Sequence, residues 1–212
     1  MIKAIIFDID GVLLDSNEIL AGIYLKTAKE LGLRIPTIPE ILRLFGKEWD
    51  TIILTLWPGI DTGLFRKTYR RIGKTENVVT PPIDNAIETT KKLKNMGFKL
   101  AIVSARPESY TFEPLKKAGF DLELFNAIVS ADDTKNHKPH PEPLLHACKR
   151  LNIEPKEAVY IGDSLVDYQS AKDANLGFIA VLTGVIKEKE FRGNGVKNII
   201  NSVAELPKFL RL

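Results

Sequence analysis

The sequence predicts an α/β protein with a doubly wound parallel sheet, and three observations support this fold class. Five short apolar runs rich in β-branched residues recur along the chain, which is typical of strands buried on both faces. Segments with apolar residues at helical spacing lie between most of them. One long connection after the first run contains further helical patterns. The alternation favours a sheet covered by helices on both faces, and the long connection favours an inserted helical unit.

The five predicted strands are bounded by polar residues or glycine. They are AIIF near residue 5, KLAIVSA from Lys99, AIVSA from Ala127, AVYIGD from Ala158 and FIAVLTG from Phe178. Parallel strands need long crossover connections, and the helical segments between the runs can supply them.

Four helices are predicted among these strands, at residues 85–96, 107–118, 141–151 and 165–174. Several are followed by glycine or asparagine, as helix C-termini often are. The single cysteine, Cys148, excludes internal disulfides and is expected in the core, because three leucines share its helical face: Leu144, Leu145 and Leu151. Gly193 and Gly195 do not complete a dinucleotide-binding motif and are interpreted as loop.

The connection after the first strand is about 70 residues long, which is too long for an ordinary loop. It contains helical patterns at 16–31, 39–44, 48–56 and 63–72 and closes at Pro81 and Pro82. Proline resists helix continuation and stiffens a hinge. We therefore predict a catalytic core formed by residues 1–14 and 83–212, with a helical unit at residues 15–82.

Composition and charge exclude several classes of protein. The chain is 44% hydrophobic and 27% charged, which is ordinary for a globular protein, and no apolar stretch approaches the roughly 20 residues that span a bilayer. The N-terminus has no signal-peptide pattern, so we expect a cytoplasmic protein. A net charge of +3 is too small to indicate nucleic-acid binding. The basic segment FRKTYRRIGK is interpreted as a solvated helix face or a mild attractor of an anionic substrate.

Polar and charged side chains follow several predicted strands at one edge of the sheet. The first strand is followed by Asp8 and Asp10, the second by Ser104, Ala105 and Arg106, the third by Lys138 in NHKPHPEP, and the fourth by Asp163 and Asp167. Ligands of open α/β sheets collect at this edge. We therefore expect these residues to form the functional site.

The chemistry of these residues points to a divalent cation and a phosphate. Two carboxylates at the mouth of a buried strand are costly without a counter-charge. Carboxylates without cysteine or imidazole suit Mg²⁺, which usually keeps coordination positions for water and a substrate phosphate. A phosphoryl group would also give Ser104 and Lys138 a role, because both can contact its oxygens.

Four segments in order, DIDGVLLDS, VSAR, KPHPEP and GDSLVD, resemble the four motifs of the haloacid dehalogenase superfamily. The resemblance covers essentially the whole chain and implies a Rossmann-like core. The insert after the first motif resembles the helical cap of the phosphoglycolate phosphatase and β-phosphoglucomutase branches. The resemblance implies a hydrolase, a Mg²⁺-dependent phosphatase of a small phosphorylated metabolite, acting as a monomer or homodimer.

The resemblance also implies a role for each site residue. Asp8 would attack phosphorus and form an aspartyl-phosphate, and Asp10 would be the general acid and base. Ser104, with Ala105 and Arg106, would bind the phosphoryl group, and Lys138 would neutralise charge on Asp8. Metal would be held by Asp8, the carbonyl of Asp10 and Asp163, with Asp167 bound directly or behind them. The cap segment LRLFGKEWD would select the substrate through Arg43, Gly46 and Lys47, with Trp49 as a further candidate.

Two other functions remain open from the sequence. A phosphomutase would use the same aspartyl-phosphate, but β-phosphoglucomutases carry a cap histidine where this chain has Leu20. A phospho-accepting signalling module also has a Mg²⁺-binding aspartate at a sheet edge, but it lacks a helical cap of this size. Dehalogenation is disfavoured, because a leaving halide has no use for the acid at Asp10.

Overall fold

The computed structural model describes residues 1–76 and 78–210 and contains one six-stranded parallel sheet within these ranges. The strands are β1 Ala4–Phe7, β2 Lys99–Val103, β3 Ala127–Val129, β4 Ala158–Gly162, β5 Gly177–Val181 and β6 Ile199–Ile200. Their order is β3-β2-β1-β4-β5-β6. The predicted α/β fold class is confirmed. Strand β6, only two residues long, was not predicted, because so short a run has no readable alternation.

The register of the sheet brings the strand ends to one edge. Phe7 of β1 lies opposite Ile102 of β2 and opposite Ile161 of β4. The chain builds β2 and β3 on one side of β1 and then crosses to β4 on the other side, so the strand order reverses at the β1–β4 pair. A crevice for ligands forms at such a reversal. Residues that follow β1 and β4 therefore flank it.

Helices cover both faces of the sheet and form the insert after β1. Those of the insert are α1 Asn17–Glu30, α2 Ile38–Leu42, α3 Trp49–Leu56 and α4 Thr62–Thr75. Those of the core are α5 Ala86–Asn95, α6 Phe112–Lys117, α7 Glu142–Leu151, α8 Leu165–Asp173, α9 Glu188–Gly193 and α10 Leu206–Phe209. Successive side chains of β1 point to opposite faces of the sheet: Ile5 and Phe7 belong to one buried cluster, and Ile6 belongs to the other.

The insert has a hydrophobic cluster of its own, built around Tyr24, Ile53 and Phe65. The chain enters and leaves it side by side, because the Asp15 amide donates to the Pro81 carbonyl at 2.9 Å and the Ile83 amide donates to the Leu13 carbonyl at 2.9 Å. The boundaries at residues 15 and 82 stay a prediction.

Three local expectations need correction. The segment predicted as one helix at 107–118 starts with a 3₁₀ turn, Glu108–Tyr110, and becomes α-helical only at Phe112. Gly193 ends α9 instead of lying in a loop. Leu145 is exposed, although Cys148 is buried as predicted, since Leu145 lies on the solvent side of α7. Within the described ranges no helix is both long and apolar enough to cross a membrane.

Candidate active site

Asp8 and Lys138 form a buried ion pair at the end of β1. Their side chains are almost inaccessible, and Lys138 Nζ donates to Asp8 Oδ2 at 2.8 Å. The same ammonium donates to Asp167 Oδ1 at 2.7 Å and to the Tyr160 hydroxyl at 3.0 Å. All three Lys138 protons thus have partners, which fixes the ammonium against Asp8. The two carboxylates also raise the pKa of Lys138 despite its burial, so it stays charged.

Asp167 lies in the first turn of α8 with both carboxylate oxygens occupied. Its Oδ1 accepts from Lys138 and from the Tyr160 hydroxyl, the latter at 3.0 Å. Its Oδ2 accepts from the Ser164 amide at 3.2 Å and from the Ser164 hydroxyl at 2.6 Å. Through these four hydrogen bonds Asp167 orients Lys138 and takes part in the N-terminal cap of α8.

Asp163 follows β4 and completes an acidic cluster. Carboxylate oxygens of Asp8, Asp163 and Asp167 lie within 4.8 Å of one another, and all three residues are buried. Asn17 donates to Asp163 Oδ2 at 3.3 Å, while its own Oδ1 is buried without a protein partner. Gly11, with φ +71°, passes so close to Asp163 that a Cβ would collide with the carboxylate. This compact set of oxygen donors fits a hard divalent cation.

The raised pKa values of the acidic cluster also favour a bound cation. Burial, opposed by Lys138, raises the pKa of Asp8 to about 7. Burial and the charges of Asp167 and Asp8 raise the pKa of Asp163 well above its usual value. One lysine therefore does not compensate three close carboxylates, and a cation between Asp8 and Asp163 would remove the imbalance.

Asp10 lies beside Asp8 and is paired with Arg106. Arg106 Nε donates to Asp10 Oδ2 at 2.8 Å, and the other end of the guanidinium bonds Asp10 Oδ1, which also accepts from the Ser16 hydroxyl. Burial raises the pKa of Asp10, but the charge and hydrogen bonds of Arg106 and the Ser16 bond outweigh it, so the pKa is lowered. Asp10 is therefore ionised in this arrangement.

The loop after β2 supplies Ser104, Ala105 and Arg106. Ser104 is buried, and its Oγ accepts from the Arg106 amide at 3.1 Å. It does not cap the next helical turn, which starts only at Glu108. Ala105 and Arg106 line a cavity above Asp8 and Asp10.

The insert covers that cavity from the opposite side. Gly46 has φ +90°, and a Cβ there would lie 3.0 Å from Ser164 Oγ, so this loop reaches the residues that follow β4. Lys47 and Trp49 line the cavity together with Gly46. Arg43 is exposed at the end of α2, and the structure does not bring it to the cavity lining.

Sequence reasoning missed several polar contacts of this site. Tyr160 holds Lys138 from the middle of β4, where a tyrosine resembles any other buried strand residue. Ser16 is the last residue of the first motif and Asn17 follows it, so their closeness in sequence to Asp8 and Asp10 was the available signal. Thr183 follows β5 at the same sheet edge and donates to the Gly11 carbonyl at 2.5 Å, which secures the loop between Asp8 and α1.

The arrangement suits transfer of an anionic group to Asp8. Lys138 pairs with Asp8, the Asp10 carboxylate lies on the floor of the same cavity, and the guanidinium of Arg106 bonds Asp10. The carboxylates that could hold a cation follow β4. Phosphoryl transfer needs a nucleophile, a proton carrier and charge stabilisers, and residues of these kinds are present.

Known proteins are similar to this chain in sequence and in fold. Residues 5–181 match the family model described as haloacid dehalogenase-like hydrolase. A phosphoglycolate phosphatase of Nitrosospira multiformis is 32% identical over 219 residues, covering 99% of this chain and 96% of that protein. A putative pyrophosphatase of Caldanaerobacter subterraneus is 28% identical, covering 99% and 95%. A putative haloacid dehalogenase-like hydrolase from Bacteroides fragilis has a solved structure with TM-score 0.88 and 28% identity, covering 97% of this chain and 100% of that chain.

Proposed function

The chain belongs to the haloacid dehalogenase-like hydrolase family, and we propose that it is a Mg²⁺-dependent phosphatase with Asp8 as its nucleophile. Its relatives named phosphoglycolate phosphatase and pyrophosphatase support a small phosphorylated metabolite as the substrate. The observation that carries the proposal is the buried Asp8–Lys138 pair beside Asp163, where the strand order reverses. We expect the enzyme to act in the cytoplasm as a monomer or homodimer.

Mg²⁺ would be held by Asp8, Asp163 and the backbone carbonyl of Asp10. The metal would supply positive charge for the phosphoryl oxygens and hold the phosphate in place. Asp167, with four hydrogen bonds already made, holds Lys138 in place and would bind the metal directly or through water. Asn17 restrains Asp163, and its unpartnered Oδ1 is free to accept a hydrogen bond from a water molecule at the cluster.

In the first step a carboxylate oxygen of Asp8 attacks phosphorus and the bond to the leaving oxygen breaks. Burial raises the pKa of Asp8, and Lys138 opposes this effect, so Lys138 favours the ionised form that attacks. The leaving oxygen takes a proton from Asp10, and Asp8 carries the phosphoryl group as an aspartyl-phosphate. Hydrolysis is thereby divided into two easier steps.

Asp10 needs a proton before it can act as the acid, and its pairing with Arg106 lowers its pKa and so opposes protonation. The incoming phosphate dianion competes with Asp10 for the guanidinium, and a carboxylate released from Arg106 takes up a proton more readily. Ser104 and Arg106 then bind phosphoryl oxygens. In the second step Asp10, again a carboxylate, removes a proton from water, which attacks phosphorus and releases inorganic phosphate from Asp8.

The insert, which we propose acts as a cap, favours a phosphatase over a phosphomutase. A mutase relay needs a group on the cap that carries a proton to the sugar. Leu20 lines the cavity instead, and the part of the chain that the structure describes brings no histidine to its lining. Leucine cannot transfer a proton.

Release of phosphate tests the proposal. The purified protein should liberate inorganic phosphate over many turnovers from one or more members of a phosphometabolite panel with Mg²⁺. A single equivalent of phosphorylation followed by slow decay would indicate a signalling module. Conversion of one sugar phosphate into its isomer without free phosphate would indicate a mutase.

A further inference from the structure

The cavity above Asp8 is walled mainly by apolar and aromatic side chains. The cavity is partly open to solvent and has a volume of about 120 Å³. Asp8, Asp10 and Asp163 form its floor, and its walls include Tyr24, Phe45, Trp49, Ile52, Tyr69 and Tyr110. The first five of these belong to the insert, and Tyr110 follows β2 in the core. The alcohol that leaves from phosphorus must occupy the space between these side chains.

The aromatic wall is preformed by ring-to-ring packing. Tyr69 lies edge-on to Tyr24, with centroids 5.0 Å apart, and edge-on to Trp49 at 5.2 Å. Trp49 also meets Tyr110 across the boundary between insert and core at 6.0 Å. The Arg70 guanidinium lies 5.5 Å from the Trp49 centroid and 5.1 Å from that of Tyr110. Such contacts hold the rings in defined orientations before a ligand arrives.

Few charges remain for an anionic leaving group. Within the described ranges, the cations that line the cavity are Lys47 and Arg106, and the guanidinium of Arg106 is paired with Asp10. A carboxylate or a second phosphate would have to leave water for a wall of rings where Lys47 is the unpaired cation of the lining. The Arg70 guanidinium contacts the Trp49 and Tyr110 rings but is not part of that lining. An anion in such a place loses hydration that the protein does not replace.

We propose that the natural leaving group is an uncharged alcohol bearing one ring with an apolar face. This inference deepens the proposed phosphatase function and rests on it. The apolar walls and the small number of cations in the lining support it. A flat ring can stack on Trp49 and Tyr110 while the phosphate reaches Asp8. Glycolate and phosphate, small and charged, leave this wall unused.

A comparison of three phosphate monoesters tests the inference. Benzyl phosphate and ethyl phosphate both release alkoxides, so a difference between them reports contact with the ring more than ease of bond cleavage. We expect benzyl phosphate to have the higher kcat/KM, by a factor on the order of 10–100 if most of the ring is buried. 2-Phosphoglycolate should be the poorest of the three.

Variants test whether the aromatic wall of the cavity causes the preference for benzyl phosphate over ethyl phosphate. Trp49→Ala and Tyr110→Ala, one on each side of the cavity, should each lower the benzyl-to-ethyl ratio several-fold. Tyr168→Ala is the matched control, because this tyrosine packs on Phe178 outside the cavity, and it should keep the ratio. Thermal unfolding of each variant confirms that the ratio is measured on folded protein.

The outcomes separate this inference from the phosphatase proposal. Equal kcat/KM for benzyl and ethyl phosphate, or a preference for 2-phosphoglycolate, overturns the inference and leaves a working phosphatase. A benzyl preference that survives both wall variants also overturns it. No hydrolysis of any ester, including p-nitrophenyl phosphate, would overturn the phosphatase proposal and the inference with it.

Discussion

Replacing Lys138 with methionine should destabilise the protein and abolish turnover. Methionine keeps much of the length and apolar character of the side chain and removes the charge. It therefore leaves Asp8 and Asp167 buried without the ammonium that donates to both, at 2.8 Å and 2.7 Å. The Tyr160 hydroxyl loses its 3.0 Å donor as well.

The size of the effect follows from the burial of these groups. Lys138 is 4% exposed, Asp8 5% and Asp167 0%. Removing one partner of a buried ion pair costs about 3–5 kcal/mol of unfolding free energy, because an uncompensated charge stays behind. For a chain of this length that corresponds to a fall in Tm of roughly 6–20 °C.

The loss should also depend on pH in a defined direction. Burial already raises the pKa of Asp8 to about 7, and loss of Lys138 raises it further. An acid whose folded pKa lies above its unfolded value stabilises the fold at low pH, and this contribution disappears as pH rises through the folded pKa. The stability deficit of Lys138→Met should therefore be larger near pH 8 than near pH 5.

Urea unfolding in chelator at both pH values, with phosphate release measured in Mg²⁺, tests this reasoning. Lys135→Met is the matched control, because Lys135 is an exposed lysine of the same loop, and it should change stability by less than about 0.5 kcal/mol. Lys138→Met/Asp167→Asn should regain part of the lost stability without regaining activity. A Lys138→Met protein as stable as the unmutated one at both pH values would refute the account of this ion pair.

Four further predictions concern the metal and the cap. Activity should require a divalent cation and vanish in excess chelator, because the acids around Asp8 otherwise repel the phosphate; metal-independent turnover would remove the cation from the site. Asp163→Asn should weaken Mg²⁺ binding, measured by calorimetry, more than it lowers Tm, and unchanged affinity would exclude Asp163 as a ligand. Mg²⁺ affinity should rise from about pH 5 to about pH 8, since protons must leave Asp8 and Asp163 before the metal binds, and a flat profile would contradict their raised pKa values. Lys47→Ala should reduce kcat/KM for a cap-filling substrate far more than for acetyl phosphate, which is too small to reach Lys47, whereas equal losses would deny the cap its role in selection.

The sequence predicted the sheet well because its signals are local and strong. Five of the six strands are apolar runs bounded by polar residues, and their buried positions follow from that pattern. Strand β6, Ile199–Ile200, is only two residues long and gains its order from pairing with β5, which no local pattern encodes. Helix α6 starts late because Pro107 and a 3₁₀ turn precede it, and helical spacing alone cannot separate the two forms.

The positions of the site residues were predictable for a topological reason. Residues after parallel strands meet at one sheet edge, so Asp8, Lys138 and Asp163 could be grouped from their places in the chain. Their partners could not be, because the Arg106–Asp10 pair and the Tyr160–Lys138 hydrogen bond depend on side-chain directions. The same limit explains Arg43, whose sequence position beside the cap loop did not reveal that it faces solvent.

The central claim is that Asp8 carries the phosphoryl group and Asp10 moves the protons, and Asp10→Asn tests both parts at once. Asparagine keeps the size of the side chain and the backbone carbonyl but cannot transfer the proton. With an alkyl phosphate the first step should slow by a factor on the order of 10²–10⁴. An aryl phosphate needs no acid, so it should still phosphorylate Asp8, and the intermediate should then persist because no base activates water.

Rapid-quench kinetics with p-nitrophenyl phosphate and intact-mass analysis are the decisive measurement. We predict a burst of nearly one equivalent of phenolate, slow turnover afterwards, and one added phosphoryl group that is absent in Asp8→Asn/Asp10→Asn. Turnover of alkyl and aryl phosphates at the unmutated rate, or a phosphoryl adduct that survives loss of Asp8, would contradict the account.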